Sequence, residues 1–254
     1  MSLELCDREL IGAILDKKNK CYIAFCRFPF NVKQGNFRDI LKDNFFASSF
    51  NNISVVFTLN SSILTPSSFY KKEHLTEYLS FSRVGSSAET PSSDYIKNLD
   101  CYNLYTVNTE LIKAILDFFP NAVIRHHSSI FITYSLIQNN GDTRDKVNVY
   151  VFEKYMEVVA LKKGGLALYN RFNYENTNDF LYYLIWVYEQ LQLDTRKTDC
   201  LLYGEVTLEQ INFASKYVRV ISEDMIPGNW KFADALVQLT PKRYYTLFAQ
   251  YFCI

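Results

Sequence analysis

The order of predicted elements occurs twice in the sequence, and this repetition limits what the chain can fold into more than any other feature. The first copy reads as three strands, a helix and a fourth strand, because β-rich apolar runs alternate with short polar turns. The second copy has the same order. The predicted strands are 3–6, 10–15, 22–28 and 53–59 in the first copy, and 147–152, 156–161, 166–172 and 200–203 in the second.

The spacing within the two copies also agrees. In the first copy, Asp7 and Lys17 mark two successive predicted turns and are ten positions apart. In the second copy, Glu153 and Lys162 mark the corresponding turns and are nine positions apart. A matched order with matched spacing predicts an internal duplication.

Apolar residues at helical spacing predict the helices that follow these strands. The predicted helices are 37–45, 109–118, 128–138, 179–193, 208–216 and 230–239, and the further extended segments are 122–125 and 217–221. Asn36, Thr109 and Asn178 are candidate N-caps because their side chains can accept a backbone hydrogen bond.

An insertion at about residues 65–107 separates the first four strands from the helix that begins at Thr109. It contains a predicted helix, 67–80, and a serine-rich loop, 80–93, which holds Gly85 and Pro91. This loop has too few apolar residues to bury surface, and we expect it to be mobile.

The composition excludes several classes of function. Lysine and arginine number 27 and so do aspartate and glutamate, so no global field attracts the chain to nucleic acid or an anionic membrane. Hydrophobic residues make up 48% of the chain, which is enough for a sizeable core. Only eight residues are glycine, and none of them forms a GxGxxG fingerprint or begins a Walker loop.

The cysteines and the apolar runs predict a cytoplasmic protein. The six cysteines form no CxxC pair and do not lie at zinc-like spacing with histidine, so we expect buried, reduced thiols and no metal site. The first nine residues carry charges where a signal peptide requires an apolar stretch. The longest apolar run, 180–188, is far shorter than the ~20 residues of a membrane span.

Two β-β-β-α-β-α-β-α halves resemble the actin-like ATPase superfamily, which has a duplicated ribonuclease H-like fold and includes actin, heat-shock ATPases, sugar kinases and pilus-assembly ATPases. More narrowly, the sequence resembles a bacterial family of unknown function with that fold. The resemblance covers the whole chain. It implies an α/β protein with a first half at 1–143, which includes the insertion, and a second half at 144–254.

In this superfamily ATP lies in the cleft between the halves. A turn with the pattern D-x-G ends the first strand of each half, and its glycine lets backbone N–H groups approach phosphate. Here the first turn reads Asp7-Arg8-Glu9 and the second reads Glu153-Lys154-Tyr155, so both glycines are replaced. Where a Gly-Gly pair holds adenosine, only Gly204 is present. The resemblance therefore places Asp7, Glu153 and Gly204 at cofactor-binding positions.

Three altered positions on an otherwise intact pattern argue against ordinary ATP hydrolysis. We therefore favour a non-hydrolysing binding or scaffold protein that has a protein partner, no bound cofactor and no catalytic residue. The alternative is an ATP-binding actin-like ATPase with non-standard contacts to nucleotide and magnesium, because Asp7 and Glu153 retain acids. The aromatic C-terminal segment, 244–254, is expected to pack on its own domain.

Overall fold

The computed structural model describes residues 1–6, 8–30, 37–58, 60–81, 89–221 and 227–253. The strands are β1 (Ser2–Leu5), β2 (Glu9–Asp16), β3 (Cys21–Pro29), β4 (Ser54–Phe57), β5 (Ile63–Pro66), β6 (Glu89–Ile96), β7 (Cys101–Asn108), β8 (Val123–His126), β9 (Lys146–Val151), β10 (Tyr155–Lys162), β11 (Gly165–Asn173), β12 (Asp199–Gly204), β13 (Arg219–Ile221) and β14 (Lys231–Phe232). The α-helices are α1 (Phe37–Ile40), α2 (Leu75–Phe81), α3 (Thr109–Phe118), α4 (His127–Gln138), α5 (Thr177–Gln190), α6 (Leu208–Ala214) and α7 (Tyr245–Ala249).

The chain separates into two compact units. The first unit comprises Met1–Ile130, Gly228–Leu239 and Thr246–Ile254, and the second comprises Phe131–Pro227 and Thr240–Tyr245. The C-terminal part of the chain thus contributes to both units. The predicted division at residues 143 and 144 stays a prediction.

The first unit contains a six-stranded mixed sheet in the order β14-β3-β2-β1-β4-β8. Strand β1 is antiparallel to β2 and parallel to β4, and β4 is parallel to β8. Its core is built from buried aliphatic and aromatic side chains of the central strands and of α3, including Leu3, Leu5, Val55, Phe57 and Ile115.

The second unit contains a five-stranded sheet in the order β11-β10-β9-β12-β13. Strand β9 is antiparallel to β10 and parallel to β12, which is the arrangement of the corresponding strands in the first unit. Helix α5 packs on this sheet through Phe180, Leu184 and Val187. Asn176 caps this helix by accepting hydrogen bonds from two backbone N–H groups, so the predicted cap at Asn178 is wrong by two residues.

The insertion forms a three-stranded antiparallel sheet in the order β5-β7-β6, with α2 against it. The prediction of a mobile serine-rich loop is wrong for Ser92 and Ser93, which lie in β6 and pair with Tyr105 and Leu104 of β7. Tertiary pairing with an apolar strand therefore orders a segment whose own composition is polar. Residues 82–88 of this loop lie outside the described residues.

Three predicted helices differ from the structure. The helix predicted over 67–80 is α-helical only from Leu75, where α2 begins. The helix predicted over 37–45 is only the four-residue α1, and its candidate cap Asn36 lies outside the described residues. The helix predicted over 230–239 is wrong, because this segment contains β14, which pairs in parallel with β3. The ring of Phe232 packs against Tyr22 with 5.9 Å between centroids, and this packing outweighs the helical spacing of the segment.

The C-terminal aromatic segment packs on strands β1 and β3 of the first unit, so the prediction that it packs on its own half, 144–254, is wrong. Thr246 Oγ1 donates to Glu4 Oε2 at 2.9 Å, Gln250 Nε2 donates to the Leu3 carbonyl at 3.0 Å, and Tyr22 Oη donates to the Phe248 carbonyl at 2.5 Å. Each of these donors and acceptors belongs to the first unit. None of the helices that the structure describes is long and apolar enough to cross a membrane.

Candidate functional site

The hairpin between β1 and β2 is the first of the two turns that the sequence places at a phosphate position. Its turn is closed by a hydrogen bond from Cys6 N–H to the Glu9 carbonyl at 2.9 Å. The Glu9 carboxylate accepts a hydrogen bond from Arg27 Nε at 2.8 Å and forms an ion pair with the Arg27 Nη2 group. Asp7, the predicted cofactor residue of this turn, lies outside the described residues.

The hairpin between β9 and β10 has the same backbone pattern. Phe152 N–H donates to the Tyr155 carbonyl at 2.8 Å. The Tyr155 ring is buried, and the Phe152 ring stacks on it with 4.3 Å between centroids. The Arg171 guanidinium lies over the Tyr155 ring, 3.4 Å from its centroid, in a cation–π contact.

The two arginines occupy matching places in their sheets. Arg27 of β3 pairs with Ile11 of β2, two residues beyond Glu9. Arg171 of β11 pairs with Glu157 of β10, two residues beyond Tyr155. In each unit, the residue at the position where the sequence predicts a D-x-G glycine is therefore in contact with an arginine from the third strand.

Glu153 is exposed in the second hairpin. Burial raises the pKa of the Tyr174 phenol, and the nearby carboxylates of Glu205 and Glu153 raise it further. The same phenol donates a hydrogen bond to the Phe152 carbonyl. Tyr174 therefore joins the end of β11 to the hairpin through the Phe152 carbonyl.

Gly204 ends β12 and pairs with Val151, the last residue of β9. Its φ is +81°, and a Cβ at this position would collide with the Val151 carbonyl oxygen and lie 2.8 Å from the Tyr150 ring. The glycine is therefore required by packing between neighbouring strands. Glu153 lies in the hairpin that follows β9, and Gly204 ends the neighbouring strand β12; that they form a cofactor site stays a prediction.

A buried polar cluster in the first unit is a feature that the sequence did not predict. It is centred on Asp94 of β6, whose side chain accepts three hydrogen bonds. The donors are the Tyr105 hydroxyl at 2.9 Å, the His126 backbone N–H at 2.8 Å and the Ser129 hydroxyl at 2.6 Å. The cluster thus joins the insertion to β8 and to the start of α4.

His126 and Ser128 complete the polar cluster. Ser128 N–H donates to His126 Nδ1 at 3.2 Å, and the Ser128 hydroxyl lies 2.7 Å from the same nitrogen. His126 Nε2 lies 2.8 Å from the carbonyl oxygen of Asn60, which can only accept. The neutral imidazole with its proton on Nε2 satisfies all of these contacts. The Ser128 hydroxyl and the His126 ring are in contact, but Ser128 is fully buried, so the pair stabilises the fold.

The family model for DUF3822, described as a protein of unknown function, matches residues 1–221. The chain belongs to the DUF3822 family. No curated protein matches this DUF3822 chain.

Two solved structures show the fold of this DUF3822 chain. The first is a Bacteroides thetaiotaomicron protein with an actin-like ATPase fold and unknown function, which is 15% identical and has a TM-score of 0.82. The match covers 100% of this chain and 95% of that one. The second belongs to the PilM–PilN type IV pilus biogenesis complex, with 9% identity, a TM-score of 0.59 and coverage of 100% and 98%. The predicted actin-like ATPase fold is confirmed.

We looked for side chains that could bind a metal ion in the part of the DUF3822 chain that the structure describes. Within those residues, no group of three or more histidine, cysteine, aspartate and glutamate side chains is arranged to hold an ion. The six cysteines, all within the described residues, form no disulfide, and only Cys200 is fully buried, so the expected burial is wrong for the other five. Burial raises the pKa of the Cys26, Cys200 and Cys253 thiols to about 12, which keeps them protonated and unreactive near neutral pH.

The ionisation of Asp94 makes the stability of the protein depend on pH. Burial raises the pKa of this carboxyl, although its hydrogen bonds from His126, Ser129 and Tyr105 oppose the shift. The protonated Asp94 carboxyl therefore stabilises the folded protein fully below its pKa in the unfolded chain, about 3.9. This stabilisation is lost as the pH rises through the higher pKa that the same carboxyl has in the folded protein. We expect the unfolding free energy of wild type, relative to Asp94→Asn, to decrease over this range. Urea titrations of both proteins at a series of pH values test this, and a constant difference would contradict it.

Proposed function

We propose that this DUF3822 chain is a non-hydrolysing, actin-fold binding protein whose ligand is another protein. One observation carries the proposal. In both hairpins, the position that requires glycine for phosphate binding holds a larger side chain, and an arginine of the third strand packs on it. Glu9 is ion-paired to Arg27, and Tyr155 lies under Arg171.

Each replacement opposes phosphate binding in its own way. In the first hairpin, Glu9 places a negative charge where a phosphate would carry another, and like charges at short range repel. In the second hairpin, Tyr155 carries a Cβ and a buried ring in contact with Phe152 and Arg171, so its backbone N–H is less accessible to an anion than that of a glycine. Neither arginine guanidinium is oriented toward a bound anion, because Arg27 pairs with the Glu9 carboxylate and Arg171 lies over the Tyr155 ring.

The similarity to a chain of the PilM–PilN complex supports a protein ligand. That complex contains a chain of this fold together with a second protein. This likeness in fold, at 9% identity, supports a role in binding another protein. The six cysteines form no disulfide, which supports a reducing compartment such as the cytoplasm as the place where this chain acts.

One observation favours the alternative of an ATP-binding protein with non-standard contacts. Arg171 Nη1 is buried and makes no hydrogen bond among the residues that the structure describes. A buried guanidinium N–H is a strong donor to phosphate. Of the two acids on which this alternative relies, Asp7 and Glu153, the structure describes Glu153, which is exposed in the second hairpin.

Thermal unfolding in the presence of nucleotide distinguishes the two functions. A ligand that binds with a Kd of about 0.1 mM would stabilise the protein by about 2 kcal/mol at about 5 mM ligand. This corresponds to an increase in Tm of about 5 °C for a chain of this size. We expect Mg-ATP to change Tm by less than about 1 °C, and recovery of one protein from cell extract in stoichiometric amount. A Tm increase of several degrees would support the alternative.

A further inference from the structure

Strand β11 forms one edge of the second unit's sheet and is unusually suited to receive another strand. It is nine residues long and contains no proline, lysine, aspartate or glutamate. Its single charged residue, Arg171, is held against the Tyr155 ring. Long edge strands without charge or proline are templates for pairing with another polypeptide.

The other terminal strands in the described residues are protected against such pairing. They are either shorter than β11, interrupted by proline, or both. The two-residue β14 and the three-residue β13 each carry a basic residue, the four-residue β8 contains Arg125, the four-residue β5 ends at Pro66, and β6 contains Pro91 and two acids. The lack of protection at β11 therefore stands out within this one chain.

The backbone of β11 directs hydrogen-bonding groups away from its sheet. Tyr174 N–H donates to the Lys154 carbonyl on the β10 side at 3.1 Å. Because backbone groups alternate along a strand, the N–H groups of Asn173 and Arg171 point to the other side. Arg171 N–H indeed donates to the side chain of its neighbour Asn170, at 2.9 Å. An incoming strand could replace this local contact with backbone hydrogen bonds.

The first unit shows how the same edge is used within the molecule. Strand β14 pairs in parallel with the start of β3, where Lys231 is opposite Cys21 and Phe232 is opposite Tyr22. Strand β3 is the third strand of its unit, as β11 is of the second. In the described residues, no strand pairs with the outer edge of β11.

An apolar surface adjoins this edge. Phe172 of β11 stacks on Tyr183 of α5 with 5.0 Å between centroids, and Tyr182 packs beside Tyr183 at 5.3 Å. Tyr182 is 64% exposed. A strand added beside β11 would direct alternate side chains toward these tyrosines, which selects an apolar or aromatic residue in the partner.

We propose that β11 is the docking edge for an extended segment of a partner protein, which adds to the sheet as a sixth strand and places apolar side chains against Tyr182 and Tyr183. The inference rests on the proposed function only in that the ligand is a protein. Backbone pairing requires a polypeptide, and the alternation of side chains defines its pattern. Nucleotide titration tests the proposed function separately, because ATP cannot supply a strand.

A library of random linear peptides, selected on the full chain, supplies the probe. Synthetic copies of the selected peptides are then titrated against wild type, Asn173→Pro and Asn173→Thr. Proline at this outward-facing position removes one N–H and blocks pairing, whereas an edge strand tolerates it. Threonine keeps the N–H and serves as the matched control. Hydrogen exchange of the Arg171 amide is measured with and without peptide.

We expect the selected peptides to alternate apolar and polar residues and to lose at least about tenfold in affinity for Asn173→Pro but not for Asn173→Thr. We also expect slower exchange at the Arg171 amide. Failure to select any peptide, equal affinity for all three proteins, or unchanged exchange would overturn the proposal. A wild-type dimer in sedimentation that Asn173→Pro dissociates would show that the edge pairs with a second copy instead, and would overturn it too. Circular dichroism and the Tm of each variant establish that the compared proteins are folded.

Discussion

Replacing Gly204 by alanine is expected to lower the free energy of unfolding by about 4 kcal/mol, because strain and overpacking act together. The residue has a φ of +81°, which an L-residue adopts at a cost. Its Cβ would also collide with the Val151 carbonyl oxygen and the Tyr150 ring. Since the carbonyl belongs to the paired strand β9, relief of the collision requires the backbone to move.

Gly141→Ala is the matched control for this substitution. Gly141 has the same φ of +81°, but no atom lies within 4 Å of its ideal Cβ position. Only the conformational cost then remains, and we expect a loss of about 1 kcal/mol. Equilibrium unfolding in urea measures both values. Equal losses for the two variants would show that the collision at Gly204 contributes nothing.

Replacing Asp94 by alanine is expected to destabilise the protein by about 3 kcal/mol, because three buried donors lose their acceptor. The donors are the Tyr105 hydroxyl, the His126 backbone N–H and the Ser129 hydroxyl. Removal of the buried charge offsets part of this loss, since burial already penalises the ionised carboxyl. Urea unfolding near neutral pH is the measurement.

Asp117→Ala provides a comparison on the surface of the same unit. The Asp117 carboxylate pairs with Arg38 at 3.1 Å, and both side chains are more than half exposed. Exposed ion pairs contribute little, so we expect a change of about 0.5 kcal/mol or less. If Asp94→Ala were no more damaging than Asp117→Ala, the polar cluster would not stabilise the insertion.

Much of the fold could be predicted because local and tertiary preferences agree in the hairpins. The alternating or β-rich runs predicted for β1 to β3 and for β9 to β11 form strands within one or two residues of the predicted bounds. Helix α3 spans its predicted residues, although Asn108 rather than Thr109 is its cap. The predicted repeat stays a prediction, but the two hairpins have the backbone hydrogen bonds that it requires.

The failures occur where a distant part of the chain determines local structure. Trp230 and Phe232 lie in a segment predicted to be helical, yet they pack on Tyr22 of β3, more than two hundred positions earlier in the sequence. Ser92 and Ser93 have no apolar pattern, yet β7 supplies the hydrogen-bonding edge that orders them. The sequence of each segment does not indicate that β3 or β7 is the strand on which it packs.

The candidate sites show the same limit. The repeat and its resemblance to the actin-like fold predict that Glu9 and Tyr155 occupy the glycine positions of the two turns. That an arginine covers each of them follows from strand register, which a single sequence does not specify. The polar run His126-His127-Ser128-Ser129 was a possible signal for the buried cluster, but nothing in the sequence connected it with Asp94.

Calorimetric titration of Mg-ATP into the full chain tests the central claim most directly, namely that the two hairpins of this actin-like fold no longer bind phosphate. We expect no saturable heat, which corresponds to a Kd weaker than about 1 mM. Saturable binding with a Kd below about 0.1 mM and a stoichiometry near one would contradict the claim.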